Sequence, residues 1–123
     1  MKILIPVDGS EYSMRAVTFA AGLLKRSSDM EALLLSVIYP FQESNAGSIL
    51  ENARKIFGEN SDRVKELILE GEPAETIIAY AKENKIEMIV MGRRGMGAIK
   101  GMVLGSVSYK VLSAVNIPVT IVK

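Results

Sequence analysis

The stretch Met88-Ile89-Val90-Met91-Gly92-Arg93-Arg94-Gly95-Met96-Gly97, running on through residues 98–104 to Gly105-Ser106-Val107-Ser108, decides the fold. Met88 to Met91 is a continuous apolar run, as in a strand buried on both faces. Gly92, Gly95, Gly97, Gly101 and Gly105 then fall within fourteen residues. Glycine accepts positive φ and lets another group approach the backbone closely. Ser106 is expected to cap a helix with Val107, Val111 and Val115 turned inward. A buried strand, a glycine loop and a capped helix form one unit of a parallel α/β sheet.

The same alternation extends in both directions. Ile3-Leu4-Ile5-Pro6-Val7 reads as a buried strand, with Pro6 tolerable only near its end. Ser10 opens a helix whose inner face is Val17, Ala20, Ala21 and Leu24. Ala32 to Ile38 is a second strand, and residues 39–47 form a loop. Ser48-Ile49-Leu50-Glu51 has capping-box spacing and is expected to start the next helix. Ala53, Ile56 and Phe57 continue its apolar stripe, and Gly58 is expected to stop it. Val64 to Leu69 is a more polar strand, as at a sheet edge. Gly71-Glu72-Pro73 opens a third helix with Ala74, Ile77, Ile78 and Ala81 inward. Val119 to Val122 is the last strand. The pattern β-α-β-α-β-α-β-α-β predicts one domain over residues 1–123, with a five-stranded parallel sheet and helices on both faces.

Ligands of such sheets sit at the C-terminal strand ends, where the strand order reverses. The glycine loop is one such end. The helix after it offers unpaired N–H groups and a positive dipole end, which suit a phosphate. The hydroxyls of Ser106 and Ser108 are expected to donate to the same anion, with Arg93, Arg94 and Lys100 as nearby cations. The plainer reading is a surface connection in which Ser106 only caps the helix. The loop after strand 1, Pro6-Val7-Asp8-Gly9-Ser10, is another candidate. Asp8 could accept from a ribose or base, or hold Mg²⁺ beside phosphates. It could equally form an Asp-Gly turn that caps the first helix. A crevice shared by strands 1 and 4 would favour the ligand role. Two phosphate motifs are excluded. Gly97 is followed by Ala98-Ile99 rather than by Lys-Ser/Thr, and Lys100 stands where a dinucleotide fingerprint needs its third glycine.

Composition narrows the chemistry further. The chain has 123 residues, fifteen Lys and Arg against fourteen Asp and Glu, and neither Cys, His nor Trp. Disulfides, thiolate nucleophiles, Ser-His-Asp catalysis and imidazole- or thiolate-held metals are therefore excluded within one chain. A metal would need oxygen ligands. The net charge of +1 offers no long-range attraction to nucleic acid or anionic lipid. The longest apolar run, Ala32 to Phe41, falls short of the ~20 residues that span a bilayer. The short apolar run after Met1-Lys2 falls short of a signal peptide's, so a cytoplasmic location is expected. The seven Met read as core filler.

The sequence resembles the universal stress protein family. Gly92-x2-Gly95-x9-Gly105-Ser106 matches the ATP-binding pattern of the family's nucleotide-binding branch. Ile5-Pro6-Val7-Asp8-Gly9-Ser10, Met88 to Gly92 and Ile117-Pro118-Val119-Thr120-Ile121-Val122 match in register, across nearly the whole chain. The resemblance implies a doubly wound sheet of order 3-2-1-4-5, Rossmann-like and similar to the adenine nucleotide alpha hydrolases. It also implies ATP, or another adenosine nucleotide, as ligand. The residues carried over are Pro6, Val7 and Asp8 at the adenosine, Val37 or Ile38 at the adenine, and Met91 and Gly92 at the ribose. Gly95, Gly105, Ser106, Val107 and Ser108 lie around the phosphates, with Gly97 counted among the binding residues of the same loop; Arg94, where Arg93-Arg94 makes the loop more charged than the family's minimum, is read either as a phosphate contact or as a solvated arginine. Asp8 is the one candidate for Mg²⁺.

A homodimer through strand 5, Val119 to Val122, is implied as well. The region between strands 2 and 3 is shorter than the family's usual length, which implies a wall over the adenine that is either more open or supplied by a partner chain. No catalytic residue is assigned, and hydrolysis is expected to be slow at most. The rival reading is a dimeric scaffold that binds no nucleotide. A phospho-receiver domain is disfavoured because Glu70 and Glu72 follow strand 3 without an Asp, and Lys123 is the last residue. An ATP-pyrophosphatase loop after strand 1 is absent, since Asp8-Gly9-Ser10 does not supply it.

Overall fold

A computed structural model describes residues 1–97 and 100–123. Ala98 and Ile99 of the expected loop lie outside the described residues. The elements are β1 (Lys2–Pro6), α1 (Glu11–Arg26), β2 (Glu31–Ile38), α2 (Ala46–Lys55), a 3-10 helix (Gly58–Arg63), β3 (Val64–Glu70), α3 (Pro73–Glu83), β4 (Met88–Gly92), α4 (Ser106–Ala114) and β5 (Val119–Val122). The strands are parallel in the order β3-β2-β1-β4-β5, the order the resemblance implied.

Strand alternation sorts the core onto two faces. Ile3, Ile5, Leu34 and Val90 pack with Val17, Ala20 and Leu24 of α1, Leu50 and Ala53 of α2, and Phe57. Leu4, Leu35, Ile89 and Met91 pack with Ala74, Ile77 and Ala81 of α3 and Val111 of α4. A strand covered on both faces has no polar face to show, which is why β1 and β4 read as unbroken apolar runs. β3 lies at the edge, and its burial alternates accordingly.

The helix ends follow local polar chemistry, with three departures from expectation. Ser10 caps α1 as expected, its Oγ accepting from Ser13 N. α2 begins at Ala46, two residues before the expected Ser48, with Asn45 as cap. Ser44 Oγ accepts from Ala46 N at 3.0 Å, so an upstream hydroxyl satisfies one free donor of the first turn. Gly58, at φ +57, opens a 3-10 turn that was not expected. α4 is capped by Gly105 rather than Ser106, because Gly105 holds the extended conformation a cap requires.

Arg63 ties three segments together. Its guanidinium donates to Leu24 O at 2.7 Å, to Ser27 O and Met30 O at 2.8 Å each, and to Asn60 Oδ1 at 3.0 Å. These carbonyls end α1 and lead into β2, where a cation suits the helix dipole. Arg63→Ala leaves them half-buried without a donor. It is expected to lower stability by about 2 kcal/mol, given roughly 1.5–3 kcal/mol for a hydrogen bond to a charged group. Chemical denaturation checks this; an unchanged midpoint would mean that water replaces the guanidinium.

Candidate functional site

The crevice begins with a proline. Val7 N donates to Leu35 O of β2 at 2.8 Å. Alternate residues of a strand address opposite neighbours, so Pro6 turns its nitrogen, which has no hydrogen, toward β4. The pairing of β1 with β4 stops at Leu4 with Ile89. Beyond it lies a cavity of 670 Å³ at the C-terminal strand ends, within the usual size range of small-molecule sites.

Asp8 spans the crevice. Its Oδ1 accepts from Ser10 N at 2.9 Å, the turn contact anticipated for an Asp-Gly pair. Its Oδ2 accepts from Met96 N at 3.0 Å, across 88 residues of chain. The carboxylate therefore positions the glycine loop. Gly95 makes this approach feasible, since a Cβ there would fall 2.3 Å from Asp8 Oδ2. Among the described residues no group of three or more acidic side chains gathers to hold a metal. Both oxygens of Asp8 already accept backbone N–H groups.

The glycine loop returns to β4 before α4 starts. Gly105 N donates to Arg93 O at 2.7 Å, and Arg93 N donates to Val122 O at 2.9 Å. A Cβ on Gly105 would meet Arg94 Cα at 3.0 Å. Ser108 Oγ, buried, donates to Gly92 O at 2.9 Å. That spends its only proton on the end of β4, so the hydroxyl role expected of Ser108 toward an anion is corrected. No side chain caps α4. The N–H groups of its first turn, including Ser106, Val107 and Ser108, have no acceptor within the helix.

All the expected site residues line this cavity except Ile38: Pro6, Val7, Asp8, Val37, Met91, Gly92, Arg94, Gly95, Gly97, Gly105, Ser106, Val107 and Ser108. Val37 faces the α3–α4 side, where the cavity lies. Successive strand residues face opposite ways, so Ile38 points away. Ser13, Leu35, Tyr39, Pro73, Ile77, Met96 and Met102 line it as well. Leu35 was legible from its two-residue spacing to Val37. Pro73 and Ile77 of α3 carried no local signal. Met91, buried at 4%, lines the cavity from the core as expected, whereas Met96, 72% exposed, stands on the cavity wall with Met102 and is not the core filler the sequence suggested. Over the mouth Tyr39 is half exposed, and the next aromatic, Phe41, lies wholly in solvent at φ +63.

Beside the loop, Tyr12 gathers cations. Arg15, Arg93 and Arg94 stand 5.2, 5.2 and 4.7 Å from its ring centre. Arg94 and Arg93 both donate to Tyr12 Oη, and Arg94 also donates to Met102 O at 3.3 Å. The Arg94 hydrogen bond, followed by that from Arg93, holds the phenol below its ordinary pKa of 10. Sequence reasoning missed Tyr12, because its partners lie some eighty residues away.

A doubly wound α/β sheet, open at its switch point onto a glycine loop and a bare helix N-terminus, defines the class. The chain belongs to the universal stress protein family, whose model matches residues 1–123. It is 34% identical to a universal stress protein of Thermus aquaticus, over 98% of this chain and 97% of that one. It is 31% identical to universal stress protein YxiE of Bacillus subtilis, over 99% of this chain and 98% of the relative. Among solved structures, a universal stress protein in complex with cAMP is similar, with a TM-score of 0.81 and 26% identity, covering 100% of this chain and 96% of that one. Among the described residues no helix is long and apolar enough to cross a membrane.

Proposed function

We propose that this chain binds an adenine nucleotide, ATP foremost, and acts as a cytoplasmic regulatory module of one domain. The observation that carries the reading is the meeting of the β1 end, the β4 end and the bare first turn of α4 on one cavity. Oriented backbone N–H groups at a helix start favour phosphate. The cAMP complex of a similar protein supports an adenine ligand. Pro6, Val7 and Asp8 would meet the adenosine, Val37 the base, and Met91 and Gly92 the ribose. Arg94, Gly95, Gly97 and Gly105 would surround the phosphates with the N–H groups of Ser106, Val107 and Ser108.

Asp8 is the one carboxylate among the described lining residues, and it is already engaged. Phosphoryl transfer needs a positioned base or water-orienting group, so the reading favours holding the nucleotide over hydrolysing it. Any Mg²⁺ would arrive with the phosphates, with Asp8 as its single carboxylate contact. Among the described residues β5 pairs only with β4, and its other edge supports a homodimer through Val119–Val122.

Protein purified without added ligand is expected to release adenine nucleotide on heating, identified by mass. Ligand at a hundredfold excess over Kd should raise stability by about 2.7 kcal/mol. No released nucleotide, together with a melting temperature unmoved by ATP or AMP, would leave the scaffold reading in its place.

A further inference from the structure

The connection from β2 to α2 carries a residue that the fold holds at a disadvantage twice over. Phe41 lies wholly in solvent, at 107% exposure, whereas Phe57 is buried at 1%. Its φ is +63°, where an L side chain crowds its own backbone. Among the described residues the other non-glycine in that region is Lys85, which directly follows the cap of α3, a common place for it. Phe41 ends no helix. Strain of this kind persists where function uses it. We propose that residues 39–45 form a strap that closes over the occupied cavity, with the Phe41 ring stacked on the base of the bound nucleotide. The inference rests on the nucleotide reading above and adds a residue that selects for the base.

Leu35, Val37 and Tyr39 line the cavity at two-residue spacing, so the strap leaves β2 along the wall that Val37 would offer the base. Phe41 stands two residues beyond Tyr39, within about 7 Å of chain. Pro40 has a fixed φ and keeps Tyr39 extended, so a change of φ at Phe41 swings its ring without moving the wall. Little holds the strap in place. Every residue from 39 to 45 is exposed. Its ends are pinned, by Gly71 N donating to Ile38 O at 2.9 Å and by Ala46 N donating to Ser44 Oγ at 3.0 Å. Between them, among the described residues, the one backbone hydrogen bond is long, from Gln42 N to Tyr39 O at 3.4 Å. Closure also finds apolar surface. Tyr39 and Met96, 51% and 72% exposed, both line the cavity, and a ring brought against them and a base leaves water.

The test uses the full chain, which has no Trp, so Phe41→Trp supplies a single fluorophore that stacks as Phe does. Its fluorescence is followed during titration with AMP and with ribose 5-phosphate, which lacks the base, and calorimetry gives the affinities. AMP is expected to quench the fluorescence, saturating at the calorimetric Kd, and ribose 5-phosphate to leave it unchanged. Phe41→Ala should weaken AMP binding about tenfold, the usual worth of stacking one base on an aromatic ring, and spare ribose 5-phosphate. The ring makes no core contact, so both variants keep the fold. AMP binding that leaves the Phe41→Trp fluorescence unmoved, or equal AMP affinity in Phe41→Ala and wild type, overturns the strap and leaves the nucleotide reading standing. So does a fluorescence change that follows protein concentration instead of AMP, which would mean that a second copy covers the ring. Binding of neither ligand, by wild type and variants alike, removes the nucleotide reading and the strap with it.

Discussion

Gly92→Ala is expected to destabilise the protein by about 3 kcal/mol, the upper end of the usual cost of overpacking. The added methyl would lie 2.7 Å from Tyr12 C and 2.8 Å from both Tyr12 O and Tyr12 Cβ. Two of those atoms are backbone of α1, so no rotamer change relieves the contact; the helix must shift from β4. Gly22→Ala is the control. Gly22 lies inside the same helix, and a Cβ there meets nothing within 4 Å. That substitution should stabilise by about 0.5–1 kcal/mol through helix propensity. Urea denaturation should thus move in opposite directions for one chemical change at two glycines. Equal midpoints for Gly92→Ala and wild type would show that α1 and β4 have room to separate.

Gly105→Val is expected to weaken nucleotide binding about a hundredfold, the loss of two charge-assisted hydrogen bonds at roughly 1.4 kcal/mol each. Close approach of a phosphate to glycine backbone would make valine an obstruction to the ligand itself. The structure changes the reason. A Cβ on Gly105 meets the chain's own Arg94, at 3.0 Å from Cα and 3.2 Å from Cβ. The start of α4 must then move off the loop, and its free N–H groups leave the cavity together. The φ of −72° at Gly105 is ordinary, so the effect comes from contact and not from backbone strain. Titration with ATP measures it, and denaturation of the same variant should show a smaller loss, about 1–2 kcal/mol. Undiminished affinity would remove the loop from the site.

Much of the fold was legible because its signals are local and repeated. Unbroken apolar runs at Ile3–Val7 and Met88–Met91, set against a more polar Val64–Leu69, distinguish central strands from an edge. Pro73 marks the start of α3 through its own fixed φ. What escaped depends on distant residues. Ser48 has the spacing of a cap, yet Ser44 reaches Ala46 N first, and four residues of sequence do not say which hydroxyl wins. Arg63 looks like any solvated cation until the ends of α1 and β2 come to it from more than thirty residues away. At the site, glycine spacing identified the loop, because glycine is needed wherever backbones nearly touch. It was silent on what they touch, which proves to be Tyr12, Asp8 and Arg94. The choice between Val37 and Ile38 required the face on which the cavity opens.

The proline in β1 has a mechanical consequence. β1 is paired with β2 at five positions, Lys2 to Pro6, but with β4 at only two, Ile3 and Leu4. The sheet therefore has a weak seam down its middle, and the cavity lies at the open end of it. Helix α1, packed through Tyr12 against Gly92, and the Asp8–Met96 hydrogen bond are the stitches across that seam. A molecule lying across the cavity would add further stitches to the same line. Occupancy would then be felt as a tightening between the two halves of the sheet, a mechanical signal that a surface spanning both halves could read without touching the ligand.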